Sequence, residues 1–342
     1  MHYTDRDHHT LEGQATLGFK KASQTHDNDA QAADDLPGDS DKSGARFREF
    51  SRAEIEQPIV ARFEEQAALH AQTWAVQSPD HSWTYANLAG RVTAVAPAIL
   101  AHSDSSGRNV ALMFDHGAPM IAGMLGALKG GKTYVPLDPD YPQMRLEFML
   151  ADSEAYVIVV DRNTVEAAQA LASAGTTVID IDDPIPELVS SFPSVSPDEA
   201  GYILYTSGST GTPKGVVQNH RKVLHFIRNY CNNLQLSPDD RMTLFSSYRL
   251  DAAVMAIYGA VLTGACLYPL SIAELGFSAI GPWLLENEIS IYHSTPTVYR
   301  GFLNSCETAS RFPDVRHVVL GGEARFGATR TCSDVALVSR AF

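Results

Sequence analysis

The chain is poor in cysteine. Cys231, Cys266, Cys306 and Cys332 lie far apart and form no CxxC pair. They read as reduced, mostly buried thiols of a cytosolic protein rather than as a disulfide framework. Long apolar runs are missing too. None approaches about 18 residues, so no membrane-spanning helix is expected. The first residues, Met1-His2-Tyr3-Thr4-Asp5-Arg6-Asp7, lack the apolar core of a signal peptide. Basic residues are outnumbered, with 26 Lys and Arg against 40 Asp and Glu and a net charge of −14. That argues against non-specific binding to nucleic acid or to anionic membranes, both of which need basic surface. A polyanion would have to be held at a local site. Residues 1–48 are nearly empty of large apolar side chains. They read as a disordered acidic and polar tail that cannot bury enough surface to offset its ordering entropy.

What is present is a long alternation of strand and helix signals. Ordered structure is expected to begin near Ile55, with Ile59, Phe63 and Ala67 at helical spacing. Val110–Phe114, Thr133–Leu137, Tyr156–Val160 and Thr177–Ile179 read as strands. Met242–Phe245, Ile289–Tyr292 and Val315–Leu320 extend that series. Helices fall between them at Ala118–Leu128, Val165–Ala172, Val223–Tyr230, Ala252–Leu262 and Val298–Leu303. This implies an α/β domain with largely parallel sheets covered by helices. Ligands of such folds bind at the carboxyl ends of the strands.

Two glycine-rich segments compete as phosphate sites. Gly126-Ala127-Leu128-Lys129-Gly130-Gly131-Lys132-Thr133 matches GxxxxGK[ST] letter for letter. A P-loop follows a strand and opens a helix, whereas these glycines end a helix and a strand follows. The segment reads as helix punctuation. Tyr202–Gly215 has the better context: an apolar strand breaks into Thr206-Ser207-Gly208-Ser209-Thr210-Gly211-Thr212-Pro213-Lys214-Gly215. Glycines permit close approach, successive backbone N–H groups form an anion-binding concavity, and hydroxyls and an ammonium add donors. A surface hairpin or linker is the plainer alternative.

Five segments, in order between about residues 55 and 325, resemble the adenylate-forming (AMP-binding) superfamily. The likeness is nearest to the amino-acid adenylation domains of nonribosomal peptide synthetases. Tyr205–Gly215 matches the signature YTSGSTGxPKG. Leu128–Pro142, with Arg145 and Leu146 following, matches LKAGxAYVPLDPxYP. Trp83–Leu88 resembles TYxEL, and Gly321-Gly322-Glu323-Ala324 matches GGEA. Leu250–Val254 resembles FDxSV, with Leu250 for Phe and Ala253 for Ser. The resemblance implies the N-terminal domain of an adenylate-forming enzyme, with mostly parallel sheets sandwiched by helices. On this likeness residues 49–342 are a partial AMP-binding domain. It also implies activation of a carboxylate by ATP as an acyl-adenylate, then transfer to a phosphopantetheine thiol on a carrier protein.

The residue roles follow from the same resemblance. Thr206 and Lys214 would act catalytically. Thr206, Ser207, Gly208, Ser209, Thr210, Gly211, Lys214 and Gly215 would hold the ATP phosphates, and Thr206 or Thr210 would help hold Mg²⁺. Gly321, Gly322, Glu323 and Ala324 would pass beside the adenine. Asp251, Ala252, Met255, His293, Val318 and Leu320 would line the substrate site, with Asp251 on the α-ammonium. Sequence alone favours a helix N-cap for Asp251, whereas the motif match favours the ammonium. His293 would either contact a polar substrate side chain or cap the following helix. His220 reads as structural. The chain stops at Phe342, before the family's YGPTE segment and small C-terminal domain. On that ground a truncated product, a fragment, or a module with a separately encoded remainder is expected. A non-catalytic nucleotide-binding remnant and an enzyme for a non-amino carboxylic acid are the competing readings.

Overall fold

The computed structural model describes residues 47–102, 108–183, 191–207, 213–306, 311–321 and 337–338. All of these lie in one compact unit, Ser43–Phe342. The tail expectation for residues 1–48 falls almost wholly outside the described residues. Buried packing starts ahead of Ile55. Phe50 is already in the core, and its backbone N–H and C=O both bond the Asn232 side chain at 2.9 Å.

In chain order, the first half holds α1 (Ile59–Leu69), β1 (Trp74–Gln77), β2 (Ser82–Thr84), α2 (Tyr85–His102) and β3 (Asn109–Met113). It continues with α3 (Ala118–Lys129), β4 (Thr133–Leu137), α4 (Gln143–Asp152), β5 (Val157–Val160), α5 (Val165–Leu171) and β6 (Thr177–Asp180). Then come β7 (Ala200–Ser207), β8 (Pro213–Asn219), α6 (His220–Leu234), β9 (Arg241–Leu244), α7 (Asp251–Val261) and β10 (Cys266–Pro269). The last elements are α8 (Ile272–Leu275), α9 (Phe277–Glu286), β11 (Ile291–Ser294), α10 (Pro296–Ser305), β12 (His317–Leu320) and β13 (Leu337–Val338).

Among the described residues the strands form two sheets, ordered β6-β5-β3-β4-β7-β8 and β13-β12-β11-β9-β10-β1-β2. Pairing is parallel except at β7–β8 and β1–β2. The central strands explain why. Val157–Val160 and Thr133–Leu137 are buried along their whole length. Such strands suit parallel sheets covered on both faces. Helices α3 and α7 are buried nearly all round, as befits helices that are apolar on every side. They join the largest core cluster, which takes in Leu112 and Tyr134 from one sheet and Leu244 and Leu267 from the other. No described helix is long and apolar enough to cross a membrane.

Two sequence expectations shift. The strand expected at Ile289 begins at Ile291, because the Ile289 N–H bonds Leu284 O and closes α9. The strand expected at Val315 begins at His317, after a turn in which the Val315 N–H bonds Phe312 O. β7 and β8 pair as an antiparallel hairpin on either side of the Gly-rich segment. The Gly126–Thr133 segment ends α3 and starts β4, with Gly131 at φ 67°.

Candidate nucleotide and substrate site

The β7–β8 hairpin carries the phosphate signature. Thr206 pairs with Lys214 and Ser207 with Pro213 across the ladder, so Thr206 and Lys214 stand side by side on one face. Both are exposed, and the Thr206 hydroxyl reaches only the Lys214 carbonyl, at 3.5 Å. Lys214 has no ion-pair partner among the described residues. An exposed, unneutralised ammonium beside a hydroxyl fits a phosphate ligand. Gly208, Ser209, Thr210, Gly211 and Thr212 lie outside the described residues, as does the Ser207 side chain. The hairpin is anchored from behind by Tyr205, whose hydroxyl donates to Asp152 Oδ2 at 2.7 Å. Gly215 makes room for that ring: a Cβ there would stand 3.3 Å from the Tyr205 Cζ.

Asp251 is the first residue of α7. The N-cap is Leu250, which offers no side-chain hydrogen bond, so Asp251 does not cap the helix. Its carboxylate has no hydrogen-bond or ion-pair partner among the described residues. Partial burial raises its pKa above the usual carboxylate range. The helix dipole offsets some of that cost. Two buried tyrosines lie within electrostatic reach of it. Tyr134 on β4 and Tyr202 on β7 pair in register, with ring centroids 5.5 Å apart. Burial is the main reason both phenols titrate above their ordinary range, and the Asp251 charge adds to it. Asp251 therefore lies within electrostatic reach of β7, the strand that leads to Thr206.

The loop before Asp251, which follows β9 of the seven-stranded sheet, is tied to β3 and β4 of the other sheet by Tyr248, a residue the motif comparison passes over. Its hydroxyl accepts the Phe114 N–H at 3.1 Å and lies 3.0 and 2.9 Å from the carbonyls of Leu112 and Leu137. His116 adds a bond from Nε2 to Leu244 O at 2.7 Å. Arg249 pairs with Asp138 and lies over the Tyr141 ring, 4.6 Å from its centroid. An aromatic or charged side chain in a strand-to-helix loop is the only sequence signal for these roles.

The expected substrate residues divide by sheet face. Ala252, Met255 and His293 are buried near α7. Val318 and Leu320 are buried too, but they point the other way. They pack with Tyr292, Phe302 and Phe312 under α9 and α10, whereas Val319 joins the core cluster of α7. Side chains alternate along a strand. Register pairs His293 with Val319, and Tyr292 with Val318. The residues on the His293 side are thus Val319 and Gly321, one position on from the expected pair. Gly321 itself is described. Its N–H bonds Ser294 O at 3.2 Å, and a Cβ there would face His293 Nε2 at 3.9 Å. Gly322, Glu323 and Ala324 lie outside the described residues.

His293 does not cap α10. Thr295 does, accepting from Val298 N. Burial lowers the His293 imidazole pKa to about 4. His220 is structural in its geometry: its Nδ1 accepts the Ile59 N–H at 3.2 Å, satisfying a free donor at the start of α1. Burial lowers its pKa to about 4 as well. Among the described residues no cluster of three or more His, Cys, Asp or Glu side chains stands ready for a metal ion.

An α/β domain with a Ser/Thr/Gly hairpin and an unpaired carboxylate at the start of α7 suits a nucleotide-using enzyme. Residues 63–328 match the AMP-binding enzyme family, and the chain belongs to it. Surfactin synthase subunit 2 of Bacillus subtilis (strain 168) is 31% identical over 278 residues, covering 80% of this chain and 8% of that protein. Tyrocidine synthase 3 of Brevibacillus parabrevis is 30% identical over 273 residues, covering 79% of this chain and 4% of that protein. The chain thus spans only a small part of the length of these relatives. The fold is also that of the Klebsiella oxytoca NpsA N-terminal subdomain, with TM-score 0.68 and 22% identity. That match covers 79% of this chain and 69% of the other. The nonribosomal peptide synthetase FmoA3 (S1046A) in its AMPPNP-bound form gives TM-score 0.70 at 24% identity, covering 78% of this chain and 29% of that one.

Proposed function

We propose that this chain activates an amino acid with ATP as an aminoacyl-adenylate for nonribosomal peptide synthesis. The observation that carries the reading is Asp251. It is an exposed carboxylate with no partner among the described residues, within electrostatic reach of the strand that leads to Thr206 and Lys214. An unpaired carboxylate there offers a counter-charge to the α-ammonium of an amino acid. Held by that ammonium, the substrate carboxylate attacks the α-phosphorus of ATP, and pyrophosphate leaves. Displacement at phosphorus is driven mainly by positioning and charge neutralisation. Lys214 neutralises charge on the β- and γ-phosphates, and the Thr206 hydroxyl with residues 207–211 and Gly215 donates to them. Gly321 and residues 322–324 run beside the adenine. Mg²⁺ bound with Thr206 or Thr210 and the phosphates would supply further neutralisation.

The reading includes a second half-reaction, transfer to a phosphopantetheine thiol on a carrier protein. The partners are that carrier and any separately encoded remainder of the synthetase. The location is cytoplasmic, in keeping with the free buried thiols of Cys231 and Cys266. Amino-acid-dependent pyrophosphate–ATP exchange, alone and with an added C-terminal part, tests the reading. Exchange that needs an amino acid and is lost in Asp251→Ala is expected. ATP binding without exchange in either setting would leave only a nucleotide-binding role. Exchange with carboxylic acids that lack an amino group, unchanged in Asp251→Ala, would replace the substrate class.

A further inference from the structure

We propose that the substrate side chain ends in a neutral acceptor oxygen, a carboxamide or a hydroxyl. Tyr230 sets that preference by holding the His293 imidazole with its proton on Nε2. The inference rests on the adenylation reading and adds the side-chain class.

His293 is 3% exposed. Its backbone is clamped by Thr243: the His293 N–H donates to Thr243 Oγ1 at 2.8 Å, and that hydroxyl donates to His293 O at 3.0 Å. The ring therefore has a fixed origin and projects to the α7 side of the sheet. Nδ1 lies 3.3 Å from the Tyr230 hydroxyl. Nε2 is buried and has no hydrogen-bond partner among the described residues.

Only one assignment of the protons leaves a single group unpaired. A neutral imidazole has one donor and one acceptor nitrogen, and a phenol carries one proton. If Nδ1–H donated to Tyr230, the phenol proton and the Nε2 lone pair would both be buried without partners. If Tyr230 donates to Nδ1, both are accounted for, and only Nε2–H is left. Unpaired buried donors are costly, so the second arrangement prevails. Tyr230 makes no competing hydrogen bond among the described residues.

The unpaired Nε2 lies on the side of β12 that Gly321 leaves without a side chain. Among the described residues, a Cβ at Gly321 would meet only His293 Nε2 within 4 Å, at 3.9 Å. The path from the α-ammonium site runs along one helix. Asp251, Met255 and Gly259 are spaced by four and share a face of α7. Asp251 marks its open end. Gly259 marks the inner end, where a Cβ would stand 2.8 Å from the Tyr230 ring. A substrate anchored at Asp251 thus extends past Met255 toward the Tyr230–His293 pair. An apolar side chain would leave Nε2–H unpaired. A lysine would bring donors only. A carboxylate would draw a charge into a site with no other cation among the residues named here.

The test is calorimetric binding of non-hydrolysable aminoacyl sulfamoyl adenosines to the full chain. The glutaminyl and asparaginyl compounds are expected to bind at least tenfold tighter than their near-isosteres, the methionyl and leucyl compounds. His293→Leu should bring both ratios close to one. Tyr230→Phe should reduce them several-fold while ¹⁵N NMR shows the ring losing its single tautomer. Methionyl, leucyl, glutamyl or lysyl compounds binding as tightly as the amides would overturn the inference and leave adenylation standing. Failure of every aminoacyl compound would overturn the adenylation reading, and this inference with it. Imidazole ¹⁵N shifts of the wild-type chain serve if the variants do not fold. A proton on Nδ1 rather than Nε2 refutes the proposal directly.

Discussion

The β7–β8 hairpin and the face of α7 that meets β11 are built by opposite means. On the hairpin, Thr206, Lys214, Val216 and Val217 are exposed, and little but the ladder and the Tyr205 anchor holds them. Against α7, Tyr230, Met255 and His293 are buried, and their contacts come from α6, α7 and β11. The hairpin presents an exposed ammonium and hydroxyl, Lys214 and Thr206, to solvent. Against α7, one buried imidazole nitrogen, His293 Nε2, is unpaired among the described residues, and a buried unpaired group counts heavily. Residues in the first region should therefore govern rate with little effect on stability. In the second, rate, selectivity and stability are coupled.

The largest expected effect breaks the comparison on the hairpin side. Lys214→Ala should lower pyrophosphate exchange about 10²–10³-fold, the usual loss for a group that stabilises transition-state charge. Its unfolding free energy should stay within about 0.5 kcal/mol of the parent, as for an exposed site. A marked loss of stability in urea denaturation would show that the hairpin is structurally coupled after all.

Acid should act on the buried side next. The imidazoles of His220 and His293 titrate near 4 in the folded chain and near 6.5 when unfolded. Below 6.5 the unfolded state binds protons that the folded state refuses. The stability held by the neutral rings is complete above pH 6.5 and is lost as pH falls toward about 4. Urea midpoints taken from pH 7 to 4 should fall across that window. The fall should be shallower in His220→Gln if its bond to the Ile59 N–H is the sensitive one.

A smaller loss is expected at the join between the regions. Tyr248→Phe removes the hydroxyl that serves Phe114, Leu112 and Leu137. Leaving those buried backbone groups short of a partner should cost about 1–3 kcal/mol, readable as a lower Tm. Gly259→Ala should cost a similar or smaller amount, because its methyl would press on the Tyr230 ring. The least effect is expected from Val217→Thr on the exposed strand β8, within about 0.5 kcal/mol by urea denaturation.

Much of the fold was readable from local pattern. Val110–Phe114, Thr133–Leu137 and Tyr156–Val160 are β-rich apolar runs, and they became β3, β4 and β5 with boundaries shifted by at most one residue. The pairing of Thr206 with Lys214 brings together two residues of one contiguous motif. The pocket was less readable. Asp251 looked like a cap, yet the helix starts one residue earlier than that role requires. Val318 and Leu320 were taken one position out of phase, because all four residues from Val318 to Gly321 are apolar or small and conceal the alternation.

By itself the sequence determined the α/β class, the order of its elements, and the donors that flank residues 208–212. These depend on residues a few positions apart, whose spacing sets helix or strand period and loop chemistry. Only the tertiary structure decided which face of β12 meets His293, that Tyr230 reaches it from 63 residues away, and that Tyr248 joins the two sheets. A strand buried on both sides carries no polar alternation to mark its faces. A hydrogen bond between distant residues leaves no trace in local spacing, since it is packing that brings the two groups together.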